Sequence, residues 1–282
     1  KVPGLCHLSE FMTGFSAKRP LPIWRSDWFR TSEVSSKAFG EKPVILFIDT
    51  FNRFFEPQII RSAVKVLSKA GYSVFAPSPM METRKALCCG KTHLSVGNIE
   101  KARKNAELLV ATYAPYATAG IPIVGLEPSC LLALRDEVPS LLKNFAAAEV
   151  ARMAKTFEEV LVDDTLGLEF KSLKAKVLLH GHCHQKAFDL MQPIEKLLHK
   201  IEGLELETID SSCCGMAGAF GYGKGTHSIS KKMGEVSLLP KVRDASLETL
   251  IISDGFSCRT QIKDETKRSA MHVASFLEKL LS

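Results

Sequence analysis

Four cysteines in the C-terminal part of the chain, Cys183, Cys213, Cys214 and Cys258, supply the four thiolates that a tetrahedral zinc ion or a [4Fe–4S] cluster requires. Their spacing bears on the choice. Structural zinc usually draws its ligands from knuckles about two to four residues apart, and ordinary ferredoxin clusters use C-x₂-C-x₂-C runs. Neither pattern is present. Adjacent thiolates crowd a single metal ion but suit a wide cluster that offers several iron atoms to neighbouring sulfurs. An iron–sulfur centre therefore leads, and zinc is the alternative. A third reading makes Cys183 a nucleophile, with His182 and His184 as flanking bases.

A second, shorter set consists of Cys88, Cys89 and Cys130, and the place that matches Cys183 reads Asp49-Thr50. Three thiolates with Asp49 can hold a metal, or the set can be degenerate and only shape a pocket. His93, His182, His184, His227 and Asp49 are the expected supporting groups around the two sets. Cys6 reads as a small buried core residue. Eight cysteines in 282 residues, twice adjacent in sequence, are too few and too clustered for a disulfide-stapled fold, and point to metal or redox chemistry. The glycine-rich run 215–223 lacks both the GxGxxG-after-strand order and the P-loop ending, so it reads as a wrap around the centre rather than a nucleotide site.

The elements that must position these cysteines are written twice. Val44 to Ile48 reads as a buried strand, Pro57 to Ala70 as an amphipathic helix, and Tyr72 to Phe75 as a second strand. Cys88-Cys89-Gly90 follows, then a helix from Ile99 to about Tyr113 and a strand over 121–124 leading to Cys130. The same order returns as strand 176–179, helix 191–201, strand 204–209, Cys213-Cys214-Gly215, a further helix, and strand 249–252 leading to Cys258. Cys88 to Cys213 is 125 positions and Cys130 to Cys258 is 128, the mark of an internal duplication. The predicted fold class is α/β: two duplicated halves with parallel sheets, related by a pseudo-twofold, with the cysteines at the strand carboxyl ends. The expected divisions are an N-terminal arm or linker over 1–42, a degenerate first half over 43–138, a helical bridge over 139–170 and a second half over 171–282. The arm holds Trp24 and Trp28 and reads as an arm rather than a core element, packed onto its own domain or onto an upstream one.

Composition narrows the function classes. The chain is 45% hydrophobic and 24% charged, as expected of a folded α/β protein. Its net charge of +6 is scattered rather than gathered into basic tracts with stacking aromatics, which argues against nucleic-acid binding. There is no apolar run long enough for a transmembrane segment and no secretory leader, so a cytoplasmic location, with at most a peripheral place at the inner face of the membrane, is the expectation. The opening at Lys1 and the linker-like first forty residues or so read as a piece of a longer polypeptide.

Cys88-Cys89-Gly90 and Cys213-Cys214-Gly215, each followed by a later cysteine, resemble the CCG cysteine-rich domains found in heterodisulfide reductase (its B subunit), the glycolate oxidase iron–sulfur subunit and anaerobic glycerol-3-phosphate dehydrogenase (its C subunit). The segments at 180–187, 213–222 and 254–262 look like the C-terminal region of large FAD-linked oxidases acting on D-lactate or D-2-hydroxyglutarate. The resemblance implies electron transfer from a 2-hydroxy acid through iron–sulfur centres towards a respiratory acceptor. FAD and a ferredoxin-like segment would lie in upstream domains of the same parent chain, and the piece alone would be inactive. A zinc-stabilised docking module for those domains is the rival. The heterodisulfide reductase proteins end each motif with C-x-x-C, where this chain has Ser129-Cys130 and Ser257-Cys258, so the resemblance implies a simpler [4Fe–4S] centre or zinc.

Overall fold

The computed structural model describes residues 5–34, 42–77, 87–163 and 167–282, with the side chains of Leu5, Cys6, Ser9 and Asp163 not described. The reading of Cys6 as core filler therefore lies outside the described residues.

The first half runs β1 (Pro43–Phe47), α2 (Thr50–Phe54), α3 (Pro57–Lys69), β2 (Ser73–Phe75), α4 (Lys91–Leu94), α5 (Ile99–Thr118), β3 (Ile123–Gly125) and α6 (Pro128–Arg135), after an opening helix α1 (Leu5–Thr13). It continues through α7 (Glu137–Leu142), α8 (Phe145–Met153), β4 (Ala154–Thr156) and α9 (Phe157–Asp163). The second half runs β5 (Ala175–Leu179), α10 (Cys183–Ala187), α11 (Met191–Leu198), β6 (Leu204–Thr208), α12 (His227–Gly234), α13 (Leu238–Asp244), β7 (Leu250–Ile252), α14 (Phe256–Thr266) and α15 (Val273–Leu280). All pairings between these strands are parallel, in the orders β2-β1-β3-β4 and β6-β5-β7. The two halves thus repeat one topology.

Alternation along the central strands sends their apolar side chains to both faces, whereas the edge strand β6 leaves Glu205 and Thr208 exposed. Val44, Leu46 and Ile48 enter a core shared with Val177, Leu179, Ile194 and Phe276 of the second half. Ile45 and Phe47 point the other way into a core under α5 and α8, and Leu178 enters a third core with Val242 and Ile262. The halves also exchange helices reciprocally: α15 packs on α3, and α11 packs on α9. In each half the second helix after the first strand is covered by the last helix of the other half, the reciprocal contact expected of a twofold arrangement.

Two sequence expectations change. The 139–170 bridge is helical for most of its described length, yet it also carries β4, which completes the first sheet, because Ala154 to Thr156 meets the free edge of β3. The arm packs onto its own domain, and it also supplies core residues: Phe29 is 1% exposed and joins the shared core with Val34. Periodicity missed it because one large aromatic in an irregular segment leaves no pattern to read. The arm straps both halves. Ser16 N–H donates to Tyr222 O at 2.7 Å, and Phe29 N–H donates to Arg53 O at 3.0 Å. Among the described residues no helix is long and apolar enough to cross a membrane.

Candidate metal centre

Each cysteine set sits where strands end and helices begin. Ile45 pairs with Ile123 and Leu178 pairs with Ile251, so Ile45 and Leu178 occupy equivalent places. Five residues further along stand Thr50 and Cys183. Thr50 is therefore the residue that replaces the fourth thiol, and Asp49 is the counterpart of His182. Both counterparts are helix N-caps. Asp49 Oδ1 accepts from Phe51 N and Asn52 N, each at 2.9 Å, and Oδ2 accepts from Asn52 Nδ2 at 2.7 Å. His182 Nδ1 accepts from His184 N at 3.1 Å, while Gln185 Oε1 accepts from His182 N at 2.9 Å. With Oδ1 capping α2 and Oδ2 held by the Asn52 side chain, Asp49 is not a free ligand but a buried carboxyl beside the first set, its pKa raised by burial.

The two Cys-Cys-Gly turns are built alike. Gly90 N–H donates to Cys88 Sγ at 3.4 Å, and Gly215 N–H donates to Cys213 Sγ at 3.3 Å. Both glycines have positive φ, +83° and +89°, where a side chain is strained. A Cβ on Gly215 would meet Ser230 O at 2.1 Å, so α12 can approach the turn only because that atom is missing.

In the second half the four thiols follow one another as electrostatic neighbours: Cys183 acts on Cys213, Cys213 on Cys214, and Cys214 on Cys258, which also feels His180. Cys214 and Cys258 are buried, and Cys183 and Cys213 are partly open. Cys213 is held well below an ordinary thiol by Cys183 and Cys214 and by the Gly215 N–H. Cys258 is held low by Cys214 and by the His180 and His182 rings. Cys183 and Cys214 are pushed up. Four thiols that neighbour one another in a chain, two of them held low, suit a soft-metal or iron–sulfur centre. The nucleophile reading fares worse, since the neighbouring Cys213 and burial push the Cys183 thiol up and His182 Nδ1 is spent on capping.

The supporting groups divide. His182 and His184 stand beside Cys183, with Nδ1 to Sγ distances of 3.9 and 3.5 Å, and the three side chains form a compact potential ligand group. Burial lowers the His182 pKa, and burial with the Lys91 charge lowers that of His184 to about 4. His93 lies half-buried on α4 in the first half, outside the second set. His227 does not reach the centre: it stands on α12 with Nε2 3.9 Å from Glu265 Oε1, in the contact that receives Arg19 of the arm. Its place thirteen residues after Cys214 was proximity in sequence only.

Sequence reading missed several groups. His180, 1% exposed, places Nδ1 2.9 Å from Ser211 Oγ. Lys186 Nζ donates to Ser211 as well. Lys91 of the first half contacts His184 Nε2 and pairs with Glu137 at 2.5 Å, tying α4 to α10. The alternation 180, 182 at the end of β5 was the available signal for His180. Nothing in sequence pointed to Lys91.

The first set has a different electrostatic setting. Cys88 and Cys89 are pushed up by their neighbouring thiols and by burial. Cys130 gains from the Cys89 hydrogen bond, but burial and the carboxyls of Asp49 and Glu127 still hold it above the usual range. Glu127 accepts from Phe256 N at 2.8 Å and from Ser129 Oγ at 2.7 Å, and burial, then Asp49, push its pKa up to about 8. The folded state therefore binds the proton more tightly than the unfolded chain does. Stability from this group is full below about pH 4.5, falls as pH rises, and is lost above about pH 8. Glu127→Gln is expected to flatten that slope, worth on the order of a few kcal/mol, in urea midpoints measured from pH 5 to 9. An unchanged slope would assign it to another group.

A family model described as a cysteine-rich domain, CCG, matches the chain twice, over residues 51–135 and 177–263. The C subunit of anaerobic glycerol-3-phosphate dehydrogenase from Escherichia coli (strain K12) is 30% identical over 258 residues, 90% of this chain and 63% of that relative. D-2-hydroxyglutarate dehydrogenase of Pseudomonas putida is 27% identical over 237 residues, covering 82% of this chain and 22% of the relative. Lactate utilization protein A 2 of Bacillus cereus (strain ZK / E33L) is 25% identical over 253 residues, 85% of this chain and 99% of the relative. The chain thus spans less than two thirds of the first two relatives and nearly the whole of the third.

Proposed function

Because the chain belongs to the CCG cysteine-rich family, we propose that it is the electron-transfer part of a FAD-linked dehydrogenase that oxidises a small hydroxylated substrate, with a [4Fe–4S] centre held by Cys183, Cys213, Cys214 and Cys258. The observation that carries this reading is the connected set of four thiols at the strand ends, with a backbone N–H on Cys213. The names of the relatives speak of glycerol 3-phosphate, D-2-hydroxyglutarate and lactate, each a small secondary alcohol whose oxidation releases two electrons. A bound cluster would supply one-electron steps between the flavin and an external acceptor. The protein's own part is to hold the four sulfurs, bury two of them, and surround them with imidazole and ammonium groups that favour thiolate.

On this reading the partners are a flavin domain and a ferredoxin-like segment, upstream or on a separate chain, and a respiratory acceptor, with the assembly in the cytoplasm or at the inner face of the membrane. The first half, with its carboxyls, supports the second and exchanges helices with it. Anaerobic purification followed by iron, sulfide and zinc analysis tests the assignment. A brown protein with about four irons and four sulfides per chain is expected. A colourless protein with one zinc and no iron would instead make the chain a docking module stabilised by metal.

A further inference from the structure

The helix that carries Cys258 has no cap of its own. Gly255 is the N-cap of α14, and Phe256, Ser257 and Cys258 are its first three residues. The start of a helix leaves backbone N–H groups without partners inside it, and a Ser, Asp or Asn at the N-cap ordinarily takes one of them. Here there is no room for such a residue: a Cβ on Gly255 would stand 2.5 Å from His182 Cδ2 and 3.1 Å from Cys258 Sγ. The space that a capping side chain needs is filled by the thiol set itself.

The missing acceptor comes from the other half. Glu127 Oε2 accepts from Phe256 N at 2.8 Å, while Oε1 accepts from Ser129 Oγ at 2.7 Å, and the side chain is buried. Ile123 and Ile251 occupy equivalent places in the two sheets, so Glu127 is the counterpart of Gly255 and Pro128 the counterpart of Phe256. The reciprocal bond cannot form, because Gly255 has no side chain to accept and Pro128 has no N–H to donate. The contact runs one way, from the first half to the second. Two more contacts hold the same segment: the Phe51 ring stacks on that of Phe256 with centroids 5.1 Å apart, and Arg259, next after Cys258, pairs with Glu56.

We propose that Glu127 caps α14 across the pseudo-twofold and so fixes Cys258 in the four-thiol set. Glu127 is a positioning residue that acts on Cys258 through the first turn of α14. The half with the shorter cysteine set thereby becomes the seat of the other half's last thiol. The consequence for metal binding rests on the proposed function, but the cap does not.

The test uses the full chain, reduced and metal-free, with Glu127→Met, which keeps length and volume without an oxygen acceptor, and Glu127→Gln, whose amide oxygen restores one. Amide exchange at Phe256, followed by nuclear magnetic resonance, is measured beside alkylation of each cysteine by iodoacetamide. In Glu127→Met both the Phe256 amide and Cys258 should react about five- to thirtyfold faster than in the parent, the factor that loss of a helix cap corresponds to. Cys89 and Cys214 should keep parental rates, and Glu127→Gln should return Phe256 and Cys258 close to theirs. Equal acceleration at Cys258, Cys214 and Cys89 would mean general loosening and overturn the proposal, as would unchanged rates at Phe256 and Cys258. Should Glu127→Met fail to fold, Glu127→Asp, one methylene shorter and so drawn back from Phe256 N, carries the same expectations. A freely exchanging Phe256 amide in the unmutated chain sinks the proposal without any variant. A loaded protein whose metal leaves Cys258 unligated would refute the metal reading while these rates judge the cap separately.

Discussion

On the proposed electron-transfer reading, Cys213→Ser in the assembled dehydrogenase is expected to strip the centre of its metal and to cut transfer to an external acceptor by at least about two orders of magnitude, the upper range seen when even supporting groups of metal sites are lost. Cys213 is the hub of the set, since both Cys183 and Cys214 act on its thiol and Gly215 N–H donates to its sulfur at 3.3 Å. A serine oxygen is a harder donor and remains protonated at neutral pH, so it neither matches iron nor keeps the charge. Cys214→Ser should behave alike, while reduction of the flavin by substrate, which needs no electron to leave the flavin, should survive in both.

Cys88→Ser and Cys89→Ser should do less. Their set lacks a fourth thiol because Thr50 stands where the other half has Cys183. It also faces buried Asp49 and Glu127, which oppose thiolate formation. The second set meets His180, His182 and Lys186 instead. Iron content, stopped-flow flavin reduction and steady-state acceptor reduction distinguish the cases. Equal metal loss from first-half and second-half substitutions would mean that the halves share one site.

Gly215→Ala is the second change of large expected effect. The left-handed conformation costs an alanine about 1–2 kcal/mol. The added Cβ would stand 2.1 Å from the carbonyl oxygen of Ser230, which is backbone within α12 and unable to step aside as a side chain can. Displacing the helix adds a further penalty of about 1–3 kcal/mol or more, so the sum approaches the total stability of many domains, about 5–15 kcal/mol. The variant should be recovered poorly and without metal. Gly90→Ala faces Ala102 O at a more tolerable 3.0 Å and should be affected less. Gly218→Ala is the control, with φ +61° and open space around the new atom. Urea midpoints falling in the order Gly218→Ala, Gly90→Ala, Gly215→Ala are expected. Equal midpoints for Gly215→Ala and Gly218→Ala would show that the close approach of α12 to the turn contributes nothing.

The reciprocal seating of α15 on α3 and of α11 on α9 carries a consequence for how the molecule folds. Each half packs its first crossover helix on its own sheet but relies on the other half to cover the rest of it, and one core contains Val44 and Leu46 together with Val177 and Leu179. A half expressed alone would leave that face exposed, so the two should unfold in a single transition.

Local order along the chain was legible before any coordinates, because short-range pattern can carry it. Buried strands such as Val44 to Ile48 and helices such as Pro57 to Ala70 are written in periodicity, and the observed β1 and α3 lie within a residue or so of those spans. The duplication and the cysteine positions at strand ends are likewise matters of order and spacing. The environment of each thiol, by contrast, emerged only from the folded arrangement. Asp49 became a cap because its Oδ1 meets the backbone of α2, and His227 left the centre because α12 turns its ring towards Glu265. His184 came under the charge of Lys91, far away in the chain. Electrostatic interaction falls with distance through space and rises with burial, and neither quantity is a property of separation along the sequence.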